Sequence, residues 1–429
     1  MKGRLVSPAS GVAGEITPPA DKSISHRSAI FSSLAEGESR VSNYLLAEDC
    51  VNTLRVFRAL GVNITEEEGR IKFEGAGLRG LKKPAEELYF GNSGTGMRLL
   101  AGILSGQSFE SVLTGDESLS LRPMRRITLP LGMMGAGIST AGGGVPPIRI
   151  RGGRLKGISY NSPVASAQVK SALLLAGLYA DGETSVTEPA PSRDHTERMM
   201  EFLGLPLRRE GLKVTLEKSA SWTGKEIEVP GDPSSAAFFA AAAMLFKGSE
   251  ILIRGVNLNP VRIGFFSVAE RMGAEVDYFN TSSKCGEPFG DIRVRGKTLG
   301  NVRITPEEIP ALIDEIPLIA LLAAQAEGVS EITGASELRK KETDRLSAVS
   351  AELGKMGGDI EEGSDYLRIN GKPGTLKGAS VRSYGDHRMA MMLFVAGLAA
   401  SGETNIGDTH CVRTSFPDFF ELMEKIIER

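Results

Sequence analysis

The residues with the clearest chemical potential are cations placed where helices should begin. Lys22, Ser23 and Arg27 lie in DKSISHR, just ahead of an apolar run. Asn92, Gly94, Thr95 and Arg98 lie in GNSGTGMR, Ser166, Ala167, Gln168 and Lys170 in ASAQVK, and Asp386, His387 and Arg388 in YGDHR, each leading into another such run. Asp314 and Glu315 precede a fifth run, and Asp232, Ser234 and Ser235 in PGDPSS precede a sixth. N-capping explains Ser, Asn and Asp at these places. It does not explain Lys22, Arg27 and Arg388, because a cation at a helix N-terminus opposes the macrodipole. Free N–H groups, the dipole and a nearby cation together form a cradle for phosphate or carboxylate. Gly94 lets an anion approach the backbone closely, although GNSGTG lacks the GK[ST] of a P-loop. Three loops add charge: Arg122 in GDESLSLRPM, Arg193, Asp194 and His195 in SRDHTER, and Lys340, Lys341, Glu342 and Arg345 in RKKETDR. The last two also suit ordinary helix starts with intrahelical ion pairs. The chemistry these placements point to is binding of small, multiply anionic molecules.

A repeated unit must position them. An Ala/Leu-rich helix ends near a glycine, a β-rich run follows, and a second helix leads on to more strand. The pivot glycines are Gly37, Gly106, Gly182, Gly248, Gly328 and Gly402, spaced by roughly 65–80 residues. Each occupies a helix C-cap position, where a left-handed conformation favours Gly. Second helices are expected over 50–60, 195–203, 262–272, 344–356 and 416–428. Six units divide into two domains of three: residues 1–20 with 236–429, and residues 21–235. The hinges fall near 18–21 and 230–236, where Pro and Gly cluster without a charge run. The expected class is α/β, two similar domains of three βαβαββ units with buried parallel helices, an inside-out α/β barrel.

Composition narrows the function classes. With 429 residues the chain exceeds one ordinary core. Its 50 basic and 53 acidic side chains give a net charge of -3, which argues against a nucleic-acid partner or a polybasic membrane surface. Anion binding must therefore come from local clustering. Cys50, Cys285 and Cys411 are far apart and form no CxxC pair, so a reducing compartment is expected. The four histidines are not clustered with cysteines, and no metal site is expected. MKGRLVSPAS has no apolar signal-peptide region, and the apolar segments are too short to span a membrane. A soluble, cytoplasmic monomer is the expectation.

The motifs DKSISHR, GNSGTGMR, GDESLSLRPM, SAQVKSALLLAGL, SRDHTERM, KETDRL and DHRMAM, in this order, resemble the EPSP synthase (3-phosphoshikimate 1-carboxyvinyltransferase) family of enolpyruvyl transferases. The resemblance runs from about residue 7 to the C-terminus, and KETDR followed by DHRMAM is its most specific part. It implies two domains whose buried helices point their N-termini at an interdomain cleft that closes on substrate. It implies transfer of the enolpyruvyl group of phosphoenolpyruvate to the 5-hydroxyl of shikimate 3-phosphate, with release of phosphate, and no metal or organic cofactor. Carried over by motif, Lys22, Ser23, Arg27, Ser166, Ala167, Gln168, Arg193, Asp314 and Lys341 hold shikimate 3-phosphate, with Ser166, Gln168 and Arg193 near its phosphate. Lys22, Asn92, Gly94, Arg122, Gln168, Arg345, His387, Arg388 and Arg413 hold phosphoenolpyruvate. Asp314 is the implied base for the hydroxyl, Glu342 the implied proton donor to the methylene carbon, and Lys22 a possible proton relay. Two carboxylates in different surroundings suit that division, and Arg suits carboxylate and phosphate bidentately.

The chain departs from the family pattern in places. Thr414 aligns where many members carry a Lys beside phosphoenolpyruvate, and Arg413 could supply the charge from one residue earlier. Ala167 replaces a Ser, and Glu337 stands where others carry an amide. Gly94 implies sensitivity to glyphosate, relieved in Gly94→Ala. The related UDP-N-acetylglucosamine enolpyruvyl transferases carry a loop cysteine about five residues before the arginine matching Arg122; here Glu117 holds that place. A non-catalytic anion-binding protein is the other alternative, against which Lys22, Asp314 and Glu342 all stand.

Overall fold

Ala- and Leu-rich segments with no polar face can be stable only when surrounded by protein. The computed structural model, which describes residues 3–217 and 221–429, buries six helices, five of this kind and one, Lys22–Leu34, that carries buried serines, His26 and Arg27. They alternate with more amphipathic ones. In chain order the twelve are α1 (Lys22–Leu34), α2 (Glu48–Ala59), α3 (Gly94–Ser105), α4 (Arg125–Met133), α5 (Ala167–Gly177), α6 (His195–Leu203), α7 (Pro233–Leu245), α8 (Gly264–Arg271), α9 (Ile316–Ala324), α10 (Arg345–Lys355), α11 (His387–Ala399) and α12 (Phe419–Glu424). The odd-numbered helices are the buried ones. In α7 every residue except the last is buried, and small Ala side chains let neighbours approach. Helix α3 packs tightly on α5, where a Cβ on Gly102 would lie 2.2 Å from the Ala172 carbonyl oxygen.

The chain forms two units. The central unit is Ala20–Pro230 with Ser283–Glu287. The terminal unit takes the residues up to Pro19, Gly231–Ser282 and Pro288–Arg429. The short segment Ser283–Glu287 has no counterpart in the division read from the sequence. It is the tip of a hairpin between strands Glu275–Lys284 and Glu287–Arg295, turning at Cys285 (φ 43°) and Gly286 (φ 83°). Positive φ at both central residues is the geometry that suits right-twisted strands.

In the central unit the three four-stranded sheets share one topology. The strands Leu88–Tyr89, Glu110–Thr114, Val145–Arg151 and Gly137–Ala141 lie side by side in that order, the first pair parallel and the rest antiparallel. Ser159–Asn161, Thr184–Thr187, Lys213–Leu216 and Leu207–Glu210 repeat it. So do Glu226–Glu228, Glu36–Ser42, Arg70–Ala76 and Asn63–Glu67. In the terminal unit Arg303–Ile304, Gly328–Ile332, Leu367–Gly371 and Ile360–Glu362 follow the same rule. A five-stranded sheet is built on the parallel pair Gly11–Ile16 and Glu250–Asn257, and a three-stranded sheet on Ser380–Arg382 and Thr404–Gly407. The four- and five-stranded sheets each hold the strands of a βαβαββ unit, the three-stranded sheet has one strand fewer, and among the described residues the sheets are open, with no closed strand barrel.

Two of the units are completed by strand exchange. Gly11–Ile16 runs toward α1 in the chain but pairs in the terminal unit with Glu250–Asn257. Glu226–Glu228 runs toward α7 but pairs in the central unit with Glu36–Ser42. Both crossings therefore fall between a strand and a buried helix, at Pro18-Pro19 and Pro230-Gly231. Proline lacks the N–H needed to continue a ladder.

Five pivot glycines, Gly37, Gly182, Gly248, Gly328 and Gly402, have φ between 82° and 95°, but each lies beyond its helix cap, which is Ala35, Leu178, Phe246, Gln325 and Ala400 in turn. Gly106 is an exception, with φ −91°. Its need for Gly is packing, since a Cβ there would lie 2.3 Å from Cγ of Tyr179. The second helix expected over 416–428 is also shorter. Pro417 delays its start until Phe419, and Ile427–Glu428 leaves it to pair with Gly11–Val12.

Candidate active site

Three helix starts in the central unit gather most of the candidate residues. At α1, the Asp21 carboxylate caps the Ile24 N–H at 3.0 Å. Lys22 follows, half-buried, its Nζ 3.1 Å from Asp49 on α2. Arg27 lies one turn further along α1 and is 3 % exposed. It donates through Nη1 to the Ser23 carbonyl at 2.9 Å, through Nε to Thr196 at 2.7 Å and through Nη2 to Ser171 at 2.9 Å. Burial lowers its pKa to about 10, with Glu197, Asp21 and Glu287 acting against that and Arg193 adding repulsion, so it keeps its charge at neutral pH. Beneath both starts His26 is fully buried, its Nδ1 2.8 Å from Thr53 Oγ1 and its Nε2 3.4 Å from the α3 cap Ser93. Burial, then Lys22 and Arg27, pull its pKa down to about 3. It is a neutral strut between helices.

At α3, Ser93 caps the Gly96 N–H at 3.1 Å and Gly94 begins the helix. Asn92 links two loops: its Nδ2 donates to Asp116 at 2.8 Å and its Oδ1 accepts from Arg122 Nη2 at 2.6 Å. Arg122 also donates to Ser118 at 3.3 Å. The starts of α3 and α5 are tied together by Gln168. Its Oε1 accepts from Arg98 Nη1 at 2.9 Å and its Nε2 donates to Thr95 at 3.0 Å. Asn92, Gly94, Arg122 and Gln168 thus form one polar cluster. At α5 itself Ser166 is the cap, Ala167 follows, and both are half-buried. Arg193, half-buried too, stands in the loop before α6. His195 is turned away into the interior, its Nδ1 2.7 Å from Glu287.

The terminal unit gathers a second set. Arg345 opens α10 and is 1 % exposed. Its Nε donates to Asp386 at 2.8 Å, its Nη2 to Glu342 at 2.8 Å, and its Nη1 lies 3.4 Å from Asp314. Burial opposes its charge, but Asp386, Glu342 and Asp314 outweigh that and raise its pKa further. Asp386 also caps α11 through the Arg388 N–H at 2.9 Å. Asp314, before α9, has Arg388 Nη2 at 3.6 Å and Lys341 Nζ at 3.8 Å. One carboxylate therefore faces three cations, and one guanidinium faces three carboxylates. His387 is buried in the first turn of α11. Arg413 is exposed on the 3-10 helix Thr409–Thr414, while Thr414 beside it is half-buried. Glu337 lies on another 3-10 helix, Ser336–Lys340, its carboxylate 3.3 Å from Lys340.

The helix start at α7 is different. Asp232 caps Ser234 at 2.7 Å and Ser235 at 3.4 Å, and Arg262 donates to the same carboxylate at 3.0 Å. The capping group is Asp232, not the serine hydroxyls, and capping together with the Arg262 ion pair accounts for this start. Elsewhere too the cations meet protein anions: Lys22 meets Asp49, and Arg345 meets Asp386. Asp49, Asp116, Thr196 and Glu188 were not singled out from the sequence. Nothing in the spacing of a lone carboxylate or hydroxyl marks it as a partner, because the partners are distant in the chain.

The sequence model of the EPSP synthase (3-phosphoshikimate 1-carboxyvinyltransferase) family matches residues 6–423. Proteins named 3-phosphoshikimate 1-carboxyvinyltransferase from Geobacter sp. strain M21 and from Bacillus licheniformis are each 48 % identical to this chain. The first alignment covers 100 % of both chains, the second 98 % of both. The solved EPSP synthase of Acinetobacter baumannii superposes with a TM-score of 0.89 at 45 % identity, covering 100 % of this chain and 98 % of that one. With likeness of this extent in both sequence and fold, the chain belongs to the EPSP synthase (3-phosphoshikimate 1-carboxyvinyltransferase) family.

Proposed function

We propose that this chain transfers the enolpyruvyl group of phosphoenolpyruvate to the 5-hydroxyl of shikimate 3-phosphate. The products are 5-enolpyruvylshikimate 3-phosphate and phosphate, on the route to chorismate and the aromatic amino acids. The observation that carries the reading is the pair of carboxylates, Asp314 and Glu342, held on Arg345 with Lys341 and Arg388 about Asp314. Acid and base must sit among cations when both substrates are anionic.

In this reading Asp314 takes the hydroxyl proton as the oxygen attacks C2 of phosphoenolpyruvate. The C2–C3 π electrons take a proton at C3 from Glu342, giving a tetrahedral intermediate. Loss of a C3 proton re-forms the double bond as phosphate leaves with the C–O electrons. Lys22 contacts both substrates. Ser23, Arg27, Ser166, Ala167, Gln168, Arg193 and Lys341 hold shikimate 3-phosphate. Asn92, Gly94, Arg122, Gln168, Arg345, His387, Arg388 and Arg413 hold phosphoenolpyruvate. Prearranged cations stabilise charge that develops in the transition state without reorganising. The scheme needs no metal or organic cofactor. The reading includes a monomeric cytoplasmic enzyme inhibited by glyphosate at the phosphoenolpyruvate position. Cys50, Cys285 and Cys411 are free and buried, and no helix among the described residues is long and apolar enough to cross a membrane.

Phosphate release measured with both substrates, and with each omitted, tests the assignment. Release should require both. Release that requires UDP-N-acetylglucosamine in place of shikimate 3-phosphate would overturn it.

A further inference from the structure

Beneath the start of α5 lies a buried charged cluster that the reaction scheme does not use. Glu188 follows the strand Thr184–Thr187 and is 4 % exposed. Its Oε1 accepts from the Ser166 backbone N–H at 2.7 Å. Its Oε2 accepts from Ser192 Oγ at 2.8 Å and from the Lys170 ammonium at 2.7 Å. Lys170, one turn into α5, also reaches Glu197 on α6 at 2.8 Å. Burial works against the Lys170 charge, but Glu197 and Glu188 outweigh it and hold its pKa above the usual lysine value.

Burying such charges is expensive, and apolar side chains of similar volume often stabilise a protein as well or better. Stability alone is therefore a poor reason for the cluster, and its geometry supplies another. Glu188 bonds both Ser166, the cap of α5, and Ser192, the residue before Arg193. Those are the two segments assigned above to the phosphate of shikimate 3-phosphate. Glu188 reaches them from two different loops, and Lys170 offsets its charge.

We propose that Glu188 is a positioning residue for the substrate phosphate, setting the Ser166 cap against the Ser192–Arg193 segment and thereby the preference for phosphorylated over unphosphorylated substrate. The proposal rests on shikimate 3-phosphate being the substrate. Glu188 acts through the groups it holds and touches neither substrate.

The test compares wild type, Glu188→Ala, Glu188→Gln and Ser192→Ala in steady-state kinetics, with shikimate as a second acceptor and thermal melts as a folding control. In Glu188→Ala the KM for shikimate 3-phosphate should rise about tenfold, as expected for loss of a charge-assisted hydrogen bond. The KM for phosphoenolpyruvate should stay within about twofold. The ratio of kcat/KM for shikimate 3-phosphate to that for shikimate should fall by the same factor as the first effect. Glu188→Gln should recover only part of the loss: with its amide oxygen on the Ser166 N–H, its NH2 can donate to Ser192 but also faces the Lys170 ammonium, a donor against a donor. Ser192→Ala cuts only one arm and should raise the KM for shikimate 3-phosphate alone, which keeps the test decisive if Glu188→Ala does not fold. Equal losses with both acceptors, a joint rise in both KM values, or an unchanged KM for shikimate 3-phosphate would each overturn the proposal. Wild type that releases no phosphate from the two substrates would instead overturn the assigned reaction.

Discussion

Replacing Gly94 by Ala probes the phosphoenolpyruvate side of the proposed site with a single added carbon. Gly94 opens α3 and has no left-handed φ, so alanine suits the backbone. The exchange improves helix preference by about 0.5–1 kcal/mol, and the fold should persist. The added Cβ would lie 2.7 Å from Arg98 Nη1 and 3.4 Å from Arg122 Nη1. Comfortable contact is about 3.5 Å, so Arg98 Nη1 must retreat by about 0.8 Å. It is not free to do so. Arg98 is 3 % exposed, its Nη1 donates to Gln168 at 2.9 Å and its Nη2 to Pro123 at 3.3 Å. Stretching the Gln168 bond that far removes a charge-assisted hydrogen bond, about 1.5–3 kcal/mol. At tenfold per 1.4 kcal/mol, the KM for phosphoenolpyruvate should rise at least about tenfold. Glyphosate is larger and should lose more, about a hundredfold in its inhibition constant. Kinetics with phosphoenolpyruvate varied against fixed glyphosate, alongside a thermal melt, measure both. An unchanged inhibition constant in a folded variant would refute the reasoning.

Glu342→Gln and Asp314→Ala should each lower kcat by about 10²–10⁴, the usual contribution of a general acid or base, while calorimetry should still detect shikimate 3-phosphate binding to Glu342→Gln; near-normal turnover in either would remove that residue from its role. Asp386→Ala leaves the buried Arg345 with Glu342 and Asp314 only and uncaps α11, so loss of a charge-assisted hydrogen bond and a cap should cost about 2–4 kcal/mol in urea denaturation. His26 makes stability pH-dependent. Its folded pKa, about 3, lies below the unfolded value of about 6.5, so the unfolded chain binds the proton first. Its contribution is complete above pH 6.5 and is lost as pH falls toward 3, by about 2 kcal/mol between pH 6.5 and 5. A wild-type stability curve no steeper over that interval than that of His26→Gln would contradict this.

Much of the architecture was legible because it is local. Five of the six buried helices are apolar nearly all round, Lys22–Leu34 with its buried serines, His26 and Arg27 being the exception, and five of the six pivot glycines carry a positive φ that glycine adopts cheaply. Gly106 shows the limit: its neighbour Tyr179 is distant in the chain, so a packing requirement reads like a turn requirement. Pro417 and Pro18-Pro19 also acted locally, but which sheet the strands Gly11–Ile16 and Glu226–Glu228 join is a long-range choice. The same holds for Ser283–Glu287, whose place in the central unit depends on partners such as His195.

For the site, the sequence by itself determined which basic and capping groups stand at which helix starts, because a start and its flanking residues are neighbours in the chain. Only the tertiary structure decided what each group meets: Asp49 for Lys22, Thr196 and Ser171 for Arg27, Asp386 with Glu342 for Arg345, and Glu188 between Ser166 and Ser192. Hydrogen bonds and ion pairs act over a few ångströms, and in a chain of βαβαββ units those ångströms join residues that the sequence holds far apart.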